Sequence, residues 1–89
     1  MEREVIEDAW ELFYNTAKWL RPRLQVIRDK QAGYPVELTQ ASWNQILDKI
    51  ISAMDLILLD DDLSLSFEEN AAVDEGCMLL GKWFRHLWI

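Results

Sequence analysis

TQASWNQILDKIISAMDLILL, residues Thr39 to Leu59, carries the clearest periodicity in the chain. Trp43, Leu47, Ile50, Ile51, Met54, Ile57 and Leu58 recur at spacings of three and four, which gathers them on one face of a helix. Thr39 stands where an N-cap belongs, its hydroxyl placed to accept from a free amide of the first turn. A helix this apolar belongs in a core, and the rest of the chain reads as what packs around it.

On the C-terminal side the apolar run stops at Asp60-Asp61-Asp62, inside LLDDDLSLSFEEN, residues Leu58 to Asn70. Ser66-Phe67-Glu68-Glu69 then matches the S-x-x-E capping box and opens another helix. Its inner face is expected from Val73, Gly76, Cys77, Leu80, Trp83, Phe84 and Leu87, and it should run nearly to the C-terminus. Gly76 has no side chain and lets a neighbouring helix approach closely.

On the N-terminal side, Ala32-Gly33-Tyr34-Pro35 ends whatever precedes it, because Gly suits a helix C-terminus and Pro prevents resumption. Before it, Glu2 to Leu20 has helical spacing at Ile6, Ala9, Trp10, Phe13, Ala17 and Leu20. Glu4, Glu7, Asp8 and Glu11 crowd its first turns, where the dipole favours negative charge. Tyr14 and Trp19 widen the apolar stripe. Pro22 has no N–H to donate and is expected to break this helix and open a short second one carrying Leu24 and Ile27. The expectation is an all-α single domain over residues 1–89: a small bundle of three long helices plus one short helix after Pro22.

The totals agree. Eighty-nine residues suit one domain, and 51% hydrophobic residues with five Trp argue against disorder despite a net charge of −7. A single cysteine, Cys77, allows no internal disulfide and fits a reducing cytoplasm. MEREVIEDAW lacks the apolar region of a signal peptide. No apolar run reaches the roughly 20 residues of a membrane span. The acidic balance disfavours direct nucleic-acid or anionic-lipid binding and favours a protein partner with a cationic surface.

Catalytic and metal chemistry finds little support. Counted from Asp60, the positions of Asp62 and Ser64 suit an EF-hand loop, but Leu65 replaces the turn glycine and Ala71 the bidentate glutamate. A calcium- or magnesium-responsive module is therefore a remote alternative. The E-E-x-x-E signature of helical nucleotide pyrophosphatases fails at Ala72, after Glu68-Glu69. His86 is the lone histidine, and Cys77 lies two and a half turns from it, too far for a pair on one helix. Cys77 reads as a small buried residue. Three scattered glycines make no phosphate loop. No enzyme and no cofactor are expected.

Residues 21–36 hold Arg21, Arg23, Arg28 and Lys30 against Asp29, a basic island in an acidic chain. The simplest reading pairs these cations with the bundle's own carboxylates; the other makes Arg21, Arg23 and Arg28 a contact strip for an acidic partner. Trp10, Trp43 and Trp83 fall on apolar faces and read as core. Trp19 and Trp88 are harder to bury in so small a domain and are candidate interface aromatics, for a homodimer among other partners.

LRPRLQVIRDKQAGYP, LTQASWNQILDKIISAM and EGCMLLGKWFRHLW together resemble a family of small tailed-phage proteins. The shared pattern is L-P-R-L-x-x-[FI]-[RK], a Y-P or H-P step, W-x-x-I-L-D-K-M-I and E-G-L-x-x-[FL]-x-K-[YW]-[FY]-x-x-L-W. It is matched at Pro22-Arg23-Leu24, Tyr34-Pro35, Trp43 to Ile51, Glu75-Gly76 and Lys82 to Trp88. Ile50 stands where the pattern has Met, and Gly81 where an aromatic or polar residue is commoner. The resemblance implies a phage-encoded intracellular protein and brings no activity with it. Most matched positions are explained by packing, while Asp48 and Lys49 are polar and suit a surface role.

The functional expectation is a small acidic protein-interaction factor. It would inhibit a host-defence or nucleic-acid-handling protein by occupying its cationic surface, as a nucleic-acid mimic. Asp55, Asp60, Asp61, Asp62, Glu68 and Glu69 are the candidate partner-binding residues. The alternative is a structural or assembly subunit of a phage complex, built on exposed Trp and apolar surface.

Overall fold

The computed structural model describes residues 2–59 and 65–89, the Asp8 side chain excepted. Among these the chain is all-helical: α1 Glu2–Trp10, α2 Leu12–Lys30, α3 Gln40–Leu59 and α4 Phe67–Trp83, closed by a single 3₁₀ turn at Phe84–His86.

α3 is the central element. α2 packs on one side of it and α4 on the other, while α1 touches only α2 among the described elements. The α2–α3 register is set by two ion pairs. Arg21 Nε donates to Asp55 Oδ1 at 2.7 Å, and Arg28 Nε to Asp48 Oδ1 at 2.8 Å. Rising number on α2 meets falling number on α3, so the two run antiparallel. Along the same contact Ala17 and Leu24 meet Ile50, Ile51, Ala53 and Met54 in one buried cluster. Trp43, Leu47 and Trp83 form a second, flanked by Ile27, Leu38 and Leu87. Fully burying a side chain such as Leu24, Leu47 or Ile50 contributes about 1.5–3 kcal/mol each, and these side chains hold the three helices together.

Gly76 is where α4 closes on α3. A Cβ at this position would overlap Ala53 Cβ and stand 3.1 Å from the Lys49 carbonyl oxygen. Both expected caps are present. The Thr39 hydroxyl accepts from Ser42 N at 3.1 Å while Ser42 Oγ accepts from Thr39 N at 3.0 Å. Ser66 Oγ accepts from Glu69 N at 3.1 Å, and Glu69 Oε1 accepts from Ser66 N at 2.9 Å. Gln31, just past α2, ties three segments together. It accepts from Trp43 Nε1 and donates to the His86 carbonyl, both at 2.9 Å. His86 in turn stands edge-on to Trp83, with ring centroids 5.6 Å apart.

Several boundaries differ from those expected. The first break falls at Glu11 (φ −127°, ψ 48°), not at Pro22, so the short helix is α1 and Pro22 lies inside α2. Pro22 is on the exposed side of the helix, and the Arg23 guanidinium donates to the nearby Trp19 carbonyl at 2.7 Å. α4 ends at Trp83 and tightens into the 3₁₀ turn, which brings His86 under Gln31. Ile6, Trp10, Phe13 and Phe84, expected in the core, are exposed, Trp10 by 78%. Cys77 is exposed rather than buried.

The reason for the N-terminal exposures is the register. With Arg21 opposite Asp55, one helix-length step back puts Ala17 opposite Leu59, the last residue of α3. Everything before Ala17 overshoots α3. A helix without a packing partner has only its own propensity to hold it, and it is in this overshoot that the chain breaks.

Candidate functional site

The expected acidic surface is only partly free. Asp60, Asp61 and Asp62 lie outside the described residues. Asp55 is held by Arg21 across α2 and α3. Glu69 is locked into the α4 capping box. Of the described candidates, Glu68 is the one left exposed and outside the ion pairs and caps of the fold. Among the described residues no three His, Cys, Asp or Glu side chains converge on a common point, and no helix is long and apolar enough to cross a membrane.

The basic island is largely used internally. Arg21 and Arg28 are paired with Asp55 and Asp48, and the hydrogen bond to Asp48 holds the Arg28 guanidinium above its ordinary value. Arg23 lies over the Trp19 ring, 4.1 Å from its centroid. Lys49 pairs with Glu75 at 2.7 Å across α3 and α4, beside a shallow recess completed by Asp48, Ser52 and Ala72. The Cys77 thiol is pushed up by partial desolvation and by Asp74, which keeps it protonated and a poor nucleophile at neutral pH.

What stands out instead is the N-terminal overshoot, α1 with the first turns of α2. Val5, Ile6, Trp10, Leu12, Phe13 and Trp19 are all about half exposed or more. On α2 the positions Leu12, Thr16, Trp19, Arg23, Val26 and Lys30 follow helical spacing, and every one is exposed. This second stripe points away from the Ala17–Leu24 face that meets α3. Leu12, Asn15, Thr16 and Trp19 outline a recess on it. On α1, Ile6 and Trp10 outline another together with Glu2, Arg3 and Glu7. The arm is therefore apolar and aromatic in its middle and acidic along α1.

Of the two candidate interface aromatics, Trp19 sits on this stripe. Trp88 does not. It is exposed at the other end of α2, beside a small recess with Gln31, Tyr34, Pro35 and His86. The arm was missed in the sequence because its apolar residues share the helical spacing of Ala17 and Leu20. The usable signal was length: α3, bounded by Thr39 and Asp60, covers only its own length of an antiparallel partner, and the stretch before Ala32 is longer.

No protein-family model matches the chain, and neither the curated proteins nor the solved structures give a match.

Proposed function

We propose that this chain is a non-enzymatic protein-interaction factor that docks through its N-terminal arm. The observation that carries this reading is the overshoot itself. Val5, Ile6 and Trp10 stand in solvent on α1, which holds none of the buried residues among those described, and Leu12, Phe13 and Trp19 stand in solvent on the first turns of α2, off its Ala17–Leu24 face. Contiguous apolar exposure rimmed by charge marks interaction surfaces. The arm's carboxylates select a partner surface that is cationic around an apolar centre. The acidic excess thus keeps the role expected of it, with α1 as its main bearer and Glu68 as a lesser one. A structural subunit of a larger assembly is the second reading, favoured by the exposure of Phe84 and Trp88 toward the opposite end of the bundle from the arm.

The test is a pull-down from lysate of bacteria that also express an untagged copy of the chain, with the tagged wild-type chain and its Trp10→Ser/Phe13→Ser variant, each washed at low and then high salt. A partner held by the wild type, released by salt and lost in the variant supports docking through the arm. Identical bound sets for the two chains would overturn it, and retention in high salt would shift the weight to assembly.

A further inference from the structure

We infer that the surface receiving the arm is a second copy of this chain, with α1 of each protomer seated on the outward α2 stripe of the other in a reciprocal two-fold pairing. With the arm taken as a docking element, as proposed above, charge picks its occupant. Residues 2–11 hold five acids against Arg3, a net −4. Residues 18–30 hold Lys18, Arg21, Arg23, Arg28 and Lys30 against Asp29, a net +4. Arg21 and Arg28 are neutralised by α3 within the protomer. Arg23 and Lys30 are exposed on the same stripe as Leu12, Trp19 and Val26. The α2 stripe is therefore an apolar track with cations toward its C-terminal end, and α1 is an apolar segment flanked by carboxylates.

Each chain carries both halves of one complementary pair. Pairing α1 with α1 would set like charges together. Pairing α1 with the other copy's α2 satisfies both signs, and a two-fold axis makes the same contact twice.

The available area fits. The chain exposes 6649 Å² at 10.5 kDa, where a compact monomer of that mass exposes about 5,400 Å². The excess, roughly 1,200 Å², exceeds the ~800 Å² per partner of a standard stable interface. The radius of gyration, 14.3 Å, is likewise above the roughly 12 Å of a compact chain this long.

Sedimentation equilibrium of the purified chain over a wide concentration range tests the pairing, at low and high salt. Two charge reversals accompany it, Glu4→Lys/Glu7→Lys on α1 and Arg23→Glu/Lys30→Glu on α2, with circular dichroism as the fold check. The expected result is a wild-type dimer that weakens with salt, an increase of about tenfold or more in its dissociation constant for each reversal alone, and a heterodimer when the two reversed chains are mixed. A wild type that stays monomeric throughout overturns the second copy as occupant, while the lysate comparison still judges the arm independently. A dimer indifferent to both reversals places the interface elsewhere and also overturns it. Should a reversal lose helicity, the wild-type series decides alone: a salt-weakened dimer supports the pairing, and a salt-indifferent one overturns it.

Discussion

Two glycines on one helix separate packing from propensity. Gly76 and Gly81 both lie inside α4, where replacing Gly by Ala ordinarily stabilises by up to about 1 kcal/mol. At Gly81 nothing lies within 4 Å of the added carbon, and Gly81→Ala is expected to show that gain. At Gly76 the added carbon collides with Ala53 Cβ and crowds backbone at Lys49, neither of which is a flexible side-chain end. Overpacking of this kind costs about 1–3 kcal/mol, which outweighs the propensity gain, so Gly76→Ala is expected to destabilise. Urea unfolding of the two variants checks the opposite signs; equal shifts would mean that α4 does not close on α3 at this point. The special role of Gly76 was legible in the sequence because it falls on the Val73–Leu80 face. The exposure of Cys77, its neighbour, was not. One residue is a rotation of about 100° on a helix, and apolar character alone does not say which of two adjacent small residues points inward.

At the scale of the elements, ends written in side-chain chemistry were readable and ends written in tertiary reach were not. Ser66 and Thr39 announce their helices through hydroxyls that satisfy free amides, and both do so in the structure. α2, by contrast, ends at an extended Gln31 (φ −67°, ψ 126°) ahead of the Ala32-Gly33-Tyr34-Pro35 expected to close it, and Gly33 makes no left-handed cap. Ser66→Ala removes the acceptor of Glu69 N and leaves only the reciprocal half of the box, in which Glu69 Oε1 accepts from the backbone N–H of residue 66. It is expected to lower unfolding stability by about 1 kcal/mol, measured by thermal or urea denaturation, with Ser66→Asp keeping most of the wild-type value. A loss below a few tenths would mean that packing of α4 on α3 sets this terminus instead. Glu11 carries no such signal. It is neither a breaker nor a cap, and its side chain makes no capping bond. The break there follows from where α3 runs out, a property of another element about 45 residues away in the chain. Pro22 misled for the complementary reason: its local preference is strong, but Leu24 and Ala17 on either side of it are buried against α3, and that burial holds the helix through the proline.

For the whole molecule, the three-helix core and the arm obey different logics. The buried residues Ala17, Leu24, Trp43, Leu47, Ile50, Ile51, Ala53, Met54 and Trp83 all belong to α2, α3 and α4, and none to α1. The all-α core was legible because burial leaves a period in the sequence. The arm was not, since an apolar face waiting for a partner has the same period as one already covered. Deleting residues 2–10 separates the two. If α1 contributes nothing to the core, the shortened chain unfolds within about 1 kcal/mol of the full chain, with a slightly smaller urea dependence because less surface is exposed on unfolding. It should also be more soluble, having lost Val5, Ile6 and Trp10 from its surface, and should no longer self-associate. A loss of several kcal/mol in dilute solution would mean that α1 folds back on its own core, and the arm would then be part of the fold rather than a docking element. Unchanged stability with altered association is the combination that a docking arm requires, because an element that shields no core residue yet keeps a tryptophan in water adds to the free energy of the isolated chain, and only the bound state can offset that.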